Sequence, residues 1–468
     1  MLKISALLSL LTLSLLVIPA RPGLAQNMQR QPADGSPHVW FAPLDSVADY
    51  GYRGVSDFMQ LFKDDTVWPK ALSRIEVIKL YSQFVDQASE EQLRTVVQFL
   101  NTHNIKIAVE TWVLHHGPNS CGYRPNGDNI EGYLPRGRED LPDSLARRIR
   151  TAGGVISYVA IDESYAANKD QHGCHLSKDE AAKDVGSVLT TYKTYFPDVR
   201  LGDIENLPGT ATQPWMDDYF DWADAIQNVT GAPLAFFHMD VDWNSPNWGD
   251  AIPAFVQRLN ERGIPFGTIQ NGTFGSQANW MASAMNNVLR YRSRGLPAPQ
   301  HVIFQSWEAY PKTALPEDHP SGLLYLINFY FAAPQKLHSA LSIPIYRFYN
   351  RQTGEHFYTV GTAEGLNGGY AYEGIGFYVL AEPMGGTVPI YRCYNGSMHF
   401  MSRADDCEGN GRLEGLYGHL YASPDEGGLP LKRFFCPSNG DHLETIAPLA
   451  ESIADCKLEG DMGYAPRQ

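Results

Sequence analysis

The 468-residue sequence is short of positive charge: 37 Lys and Arg stand against 52 Asp and Glu, for a formal net charge of −15. Nucleic acid and anionic lipid both demand basic patches, so neither is an expected partner. Other absences narrow the chemistry. There is no His-Glu-x-x-His and no Gly-x-Ser-x-Gly, which removes two common peptidase and esterase signatures. No Gly-rich turn follows the first apolar run of the main body, so no phosphate cradle is expected there. Beyond the N-terminal stretch, no apolar run is long enough to cross a membrane. Cysteine is scarce, with six residues, none of which reads as a free nucleophile.

What is present begins with a leader. Lys3 precedes the apolar run Leu7 to Ile18, and small Gly23 and Ala25 suit cleavage after Ala25. Residues 1–25 are therefore expected to be a signal peptide and 26–37 a flexible lead-in. The mature chain is expected to be secreted or periplasmic, a monomer with no membrane span. An even cysteine count in an exported chain points to disulfides. Of fifteen possible connectivities, the simplest joins neighbours: Cys121–Cys174, Cys393–Cys407 and Cys436–Cys456.

Between residues 38 and 334, eight short apolar runs alternate with helical patterns. The runs are at 38–45, 74–83, 106–114, 155–164, 200–207, 233–243, 265–272 and 301–311. The helical segment starting at Ser89 opens with a Ser-x-x-Gln capping box. Eight strand–helix units in about 300 residues are the count and size of a (β/α)8 TIM barrel, an α/β fold.

In such a barrel the active site lies at the C-terminal ends of the strands. Polar residues crowd those ends here. Strand three carries Glu110 and Trp112, strand four Asp162 and Glu163, and strand five Asp203 and Glu205. Strand six carries His238, Asp240 and Asp242, followed by Trp243; strand seven has Gln270 and strand eight Trp307 and Glu308. Side chains two apart share a face, so Asp203 with Glu205, and His238 with Asp240 and Asp242, are expected to point into the mouth.

Hydrolysis of a glycosidic bond needs one protonated carboxyl and one ionised carboxyl, and flat aromatic faces to hold sugar rings. With "AIDES", "GDIEN", "MDVDW" and "SWEAYP" on strands four, five, six and eight, residues 38–334 resemble a secreted bacterial TIM-barrel glycoside hydrolase. The resemblance lies in architecture and acid placement. Strand seven offers Gln270 where the largest clan of such enzymes has Glu, and the Asp-x-Asp-x-Glu run of the chitinase-like barrels is absent, so no single family is implied. The resemblance implies a carbohydrate substrate and no cofactor or metal. Glu163 ranks first as general acid, with Asp240 or Glu205 as the ionised partner and Asp162 as the alternative on strand four. Glu110, Trp112, Asp203, His238, Asp242, Trp243, Gln270, Trp307 and Glu308 are then expected to bind substrate. The competing reading is a non-catalytic carbohydrate- or envelope-binding protein on a barrel scaffold.

The loops after strands three and four hold His115, His116, His172 and His175 beside Cys121 and Cys174. A disulfide between the loops is expected there rather than a zinc site, because zinc ligands pair more tightly in sequence. The helical "DDYFDWADAI" reads as an acidic, solvated face.

After a linker at 335–342, three segments within 343–465 align. Each carries an Arg (347, 392, 433), a His (356, 399, 442) and a Glu-Gly pair beginning at 373, 414 or 459. Recurrence of several features in order marks a repeat. The segments resemble the Tyr-Arg-x-Tyr-Asn…His-Phe-Tyr-Thr repeat domain of secreted bacterial proteins, and a pseudo-threefold all-β domain such as a β-trefoil is expected. The repeated Arg, His and Glu suit either three ligand pockets, with carbohydrate a possible ligand, or internal ion pairs.

Overall fold

The computed structural model describes residues 35–48, 54–117, 121–209, 211–243, 245, 248–272, 277–333, 342–381, 383, 386–424, 428–446 and 455–466. The expected signal peptide, most of the lead-in and 335–341 of the linker lie outside these residues.

Eight parallel strands form a closed barrel in sequence order. They are β1 (His38–Pro43), β2 (Ile75–Tyr81), β3 (Lys106–Thr111), β4 (Ile156–Asp162), β5 (Arg200–Asn206), β6 (Phe237–Asp240), β7 (Phe266–Gln270) and β8 (His301–Ser306). β8 returns to pair with β1 from His38↔His301 to Pro43↔Ser306. Burial on both faces explains why these runs are nearly continuously apolar; β2 is buried at all seven positions. One face packs inside the barrel, where Trp40, Val77, Ala108, Tyr158, Ala160, Ile204, Phe236, Ile269 and Ile303 form one cluster. The other face packs against the helices in a much larger cluster. The helix Glu90–Thr102 has the expected capping box, with Ser89 and Gln92 exchanging hydrogen bonds. A second box, Ser177 with Glu180, starts the helix Lys178–Tyr195.

The acidic helix Gln213–Thr230 is not simply solvated. Asp217 pairs with Arg258, Asp218 with Lys169 and Lys178, and Asp224 with Arg262. Its acidic stripe meets basic residues in or at the ends of the helices Ser164–Lys169, Lys178–Tyr195 and Ile252–Glu261.

The C-terminal strands are antiparallel: β9 (Ser342–Asn350), β10 (Glu355–Thr359), β11 (Ala371–Leu380), β12 (Thr387–Tyr394), β13 (His399–Ser402), β14 (Arg412–Tyr421), β15 (Leu429–Cys436), β16 (Asp441–Thr445) and β17 (Lys457–Ala465). Each repeat is a three-stranded unit: β9 with β10 and β11, β12 with β13 and β14, β15 with β16 and β17. Single register contacts, Leu380↔His419 and Tyr421↔Tyr464, join the third strands. β10, β13 and β16 pack against one another. The threefold pattern is therefore real, but a β-trefoil is not shown.

The repeated polar residues bond to each other. Arg347 pairs with Glu373, Arg392 with Glu414 and Arg433 with Glu459, at 2.7–2.8 Å. Arg392 also reaches Glu364 of the preceding unit, and Arg433 reaches Glu408. These side chains are engaged in holding the units together. The three disulfides are Cys121–Cys174, Cys393–Cys407 and Cys436–Cys456.

Candidate active site

Registered residues on adjacent parallel strands share a face, which sorts the candidate acids. Asp162 lies beside Ile204, an inner-cluster residue, while Asp203 lies beside Ile161 in the outer layer. Asp162 therefore faces the barrel interior and Asp203 faces the helices. Asp203 accepts a hydrogen bond from Tyr219 Oη at 2.8 Å. Burial pushes its carboxyl up to about 7. Glu205 has the same parity. Its carboxylate accepts the backbone N–H of Tyr165 at 2.5 Å and of Ala166 at 3.3 Å. It thus caps the helix Ser164–Lys169, while burial and then the charge of Asp203 raise it well above the usual carboxylate range. The expected pair Asp203 and Glu205 does not enter the mouth.

Three further expectations change in the same way. His238 faces inward but lies deep in the barrel, fully buried, with Nε2 2.9 Å from His301 Nδ1. Burial holds its imidazole well below the usual range. Trp243 is buried in the outer cluster and donates Nε1–H to Asn271 Oδ1 at 2.7 Å. Gln270 is buried and donates to Thr268 Oγ1 at 2.8 Å. None of the three is an exposed substrate contact.

The inward parity brings Glu110, Asp162 and Asp240 to the mouth, with Asn206 and Asp240 in register on β5 and β6. Glu163 joins them through a backbone device. At φ 48° and ψ 26° it occupies the left-handed region, rare for a residue with a side chain. Its N–H donates to Ile204 O at 2.9 Å and its carbonyl accepts from Ala167 N at 2.7 Å. The strand ends and the helix begins within this one residue. Strict alternation would send Glu163 outward; the left-handed turn breaks the alternation, and both adjacent acids act in one electrostatic field.

Burial raises Asp162 well above the usual carboxylate range, reinforced by Glu110 and Glu131. Glu163 is raised by burial, then by Glu131 and Glu110, with Arg124 opposing. Asp240 is pushed up to about 7 by burial, and next by the charge of Glu163. Glu308 is partly buried and Asp242 exposed, just past their strands. Trp112 and Trp307 keep partial exposure there.

Two participants were missed in the sequence. Lys79 on β2 is fully buried and ion-paired with Glu110. A lysine in a strand buried throughout requires an acid partner, and that was its signal. Glu131 is brought in by its neighbour. Gly132, at φ 91°, packs so closely on the Glu163 turn that a Cβ would lie 2.7 Å from Ala167 Cβ. Gly132 O accepts from Val113 and Leu114, folding the loop back over β3. No local sequence pattern marks that return.

The same loop is tied to the loop after β4. Besides Cys121–Cys174, Gly122 N donates to His172 O at 2.8 Å and Cys174 N to Tyr133 Oη at 2.7 Å. His116 Nδ1 is 2.9 Å from Cys121 O and Nε2 2.7 Å from Leu134 O. His115 Nδ1 meets Asp184 at 3.1 Å. Disulfide and hydrogen bonds thus engage these groups structurally. A separate cleft of about 630 Å³, lined by Trp248, Arg290, Glu364, Arg392 and Tyr417 among others, lies away from these carboxylates. Its Arg392 is already paired with Glu364 and Glu414, and the acid cluster makes the barrel mouth the stronger candidate.

Comparison with known proteins adds little to this geometry. Residues 327–411 match a family model described as a domain of unknown function (DUF5648). No curated protein sequence matches the chain. Solved structures that align with it include a GH10 endoxylanase retrieved from a sugarcane soil metagenome, at 11% identity and TM-score 0.37, covering 63% of this chain and 96% of that one. Another is native xylanase 10B from Thermotoga maritima, at 14% identity and TM-score 0.38, covering 63% and 95%. A third is a GH5_18 protein from Streptomyces cattleya in complex with Manb1-4GlcNAc, at 11% identity and TM-score 0.35, covering 64% and 83%. At these scores the likenesses carry no argument about activity.

Proposed function

We propose that the chain is an exported glycoside hydrolase whose acid–base pair is Glu163 and Asp240 at the mouth of the barrel. The observation that carries this reading is geometric: Asp240, on the inward face at the end of β6, and Glu163, brought round by the left-handed turn, meet at the barrel mouth. Half-buried at the strand end, the Asp240 carboxyl is pushed up to about 7 by desolvation and next by the charge of Glu163. A carboxyl that keeps its proton near neutrality beside one held in a different environment is the requirement for acid-assisted cleavage of a glycosidic bond. Asp240 then donates the proton to the leaving oxygen, and Glu163, opposed by Arg124, supplies the ionised carboxylate. This reverses the roles expected from strand position alone. Asp162, which burial raises above the usual carboxylate range, lies beside them, and the Lys79–Glu110 ion pair braces the same mouth. Trp307, packed on the inner cluster, is the aromatic we assign to the sugar; Trp112 packs on the outer, helix-side cluster.

Strands β4 and β6 are separated by β5, about 10 Å between their backbones. Carboxyls roughly 6.5–9.5 Å apart leave room for a water between acid and sugar, the arrangement of an inverting enzyme. With Glu205 capping a helix, the shorter pairing with strand five falls away, so inversion is the outcome we propose. The test is a polysaccharide panel scored for reducing ends with the parent protein, Glu163→Gln and Asp240→Asn. Loss of all cleavage in both variants supports the assignment; cleavage by both at the parental rate overturns it.

A further inference from the structure

We propose that the cleft between the barrel and the repeat domain is a second binding site, which takes a small ligand by a carboxylate held on Arg290. It is independent of the hydrolase reading. At about 630 Å³ the cleft has the volume of a small-molecule site. One wall is Trp248, from the segment after β6, with Arg290 and Arg294, in and just past the last turn of the helix Gln277–Ser293. Leu416 and Tyr417 of β14 stand on the other wall, beside Glu364, Arg392 and Glu414.

The Arg and Glu side chains of these walls are matched within the protein, with one exception. Glu364 and Glu414 both pair with Arg392, and Glu414 also with Arg412 at 3.0 Å. Arg294 pairs with Asp250 at 3.2 Å. Arg290, half-buried, forms no ion pair with a described residue. Its Nη1 donates to Trp243 O at 3.1 Å and to Asn287 Oδ1 at 3.3 Å. Nε and Nη2 donate to none of the described residues and are not sealed from solvent. They form an edge that grips a carboxylate by two parallel bonds. The guanidiniums of Arg290 and Arg294 both lie over the Trp248 ring, 5.4 and 4.9 Å from its centroid, which fixes where that edge sits. Like charges four residues apart on a helix repel, and a desolvated charge without a counter-charge is costly. A bound carboxylate relieves both. Burial, and then Arg294, pull Arg290 down to about 10, in agreement with a cation short of a partner. One unmatched positive charge suits a monoanion; a phosphate dianion would bring a second negative charge opposite Glu364 and Glu414.

The experiment is calorimetric titration of the full mature protein with galacturonate, hexanoate, galactose and inorganic phosphate at constant ionic strength. At least one of the two carboxylates is expected to bind in the millimolar range or tighter, and galactose and phosphate at least about tenfold more weakly than it does. The tighter of the two carboxylates tells whether a sugar or an apolar body fills the cleft. Arg290→Met is expected to weaken that binding about tenfold or more, and Arg290→Lys, which keeps the charge and loses the fork, to weaken it too. Leu416→Trp, at an exposed position, crowds the cleft from the other wall and is expected to do the same. A variant with both Glu163→Gln and Asp240→Asn should bind as the parent does, because the mouth is not the site. No binding of either carboxylate overturns the inference, as does galactose or phosphate binding as tightly as the better one. Parental affinity in Arg290→Met or Leu416→Trp, or loss of binding in the mouth variant, overturns it as well. The contrast among the four ligands is read on the parent protein, so it decides even if Arg290→Met fails to fold.

Discussion

Asp441 binds His356 twice: Oδ1 accepts the backbone N–H at 2.9 Å and Oδ2 lies 2.6 Å from ring Nδ1. The residues are 85 apart in sequence, so this contact closes the third repeat onto the first. Glu355 makes the equivalent contact with His399, at 2.8 Å to the backbone N–H and 2.7 Å to Nδ1. The corresponding position in the second repeat is Met398, and His442 Nδ1 has no partner among the described residues. Two of the three links in the ring are made.

This asymmetry predicts opposite outcomes for two substitutions. Asp441→Ala should destabilise the repeat domain by about 1–2 kcal/mol, because it strips the acceptor from two part-buried donors of His356. Met398→Glu should stabilise it by about 1 kcal/mol by supplying the missing link. Chemical denaturation followed by near-ultraviolet circular dichroism reads both. A stabilising Asp441→Ala would show that the ring does not hold the units together.

Glu444 predicts a pH dependence. It is fully buried, accepting Met401 N–H at 3.1 Å, and burial raises it well above the usual carboxylate range. Below about pH 4.5 it is protonated folded and unfolded, and contributes nothing to pH dependence. As pH rises past that value the unfolded chain releases the proton while the folded one retains it, so stability falls until the raised folded value is passed. Glu444→Gln should flatten that decline in thermal melts between pH 4.5 and 8. An unchanged slope would remove Glu444 as its source.

At the mouth, Glu163→Gln and Asp240→Asn should each lower kcat by about 10² or more with little change in melting temperature. If Asp240 is the proton donor, activity should fall as pH rises through about 7, and that limb should vanish from the residual activity of Asp240→Asn. Proton NMR of the first product should show inverted anomeric configuration. Retention would require a closer carboxyl pair than Glu163 and Asp240.

The loop staple should be local. Cys121→Ser with Cys174→Ser leaves the Gly122–His172 and Cys174–Tyr133 hydrogen-bond positions available. The barrel should therefore fold, with faster proteolysis confined to the loops after β3 and β4. Loss of the barrel's far-ultraviolet signal would show that the disulfide is needed for the fold itself.

Much was determined by local chemistry in the sequence. The eight apolar runs all became barrel strands, because their length and continuity match burial on two faces. Ser89 and Gln92 started their helix as the capping box required, and each cysteine bonded to its neighbour in the chain. The threefold repeat was legible because Arg and Glu recur at matched offsets and pair across neighbouring strands.

Only the tertiary structure decided which face of a strand points inward. Alternation separates Asp203 from Ile204, but a strand buried on both sides carries no sign of which side is the barrel interior. Packing on Tyr219 and the helix beginning at Ser164 turned Asp203 and Glu205 outward. The left-handed turn at Glu163, the return of the loop at Gly132 and the pairing of Lys79 with Glu110 likewise depend on neighbours supplied by other strands. Residue types along the chain set the inventory of acids; the closure of the barrel set which of them meet.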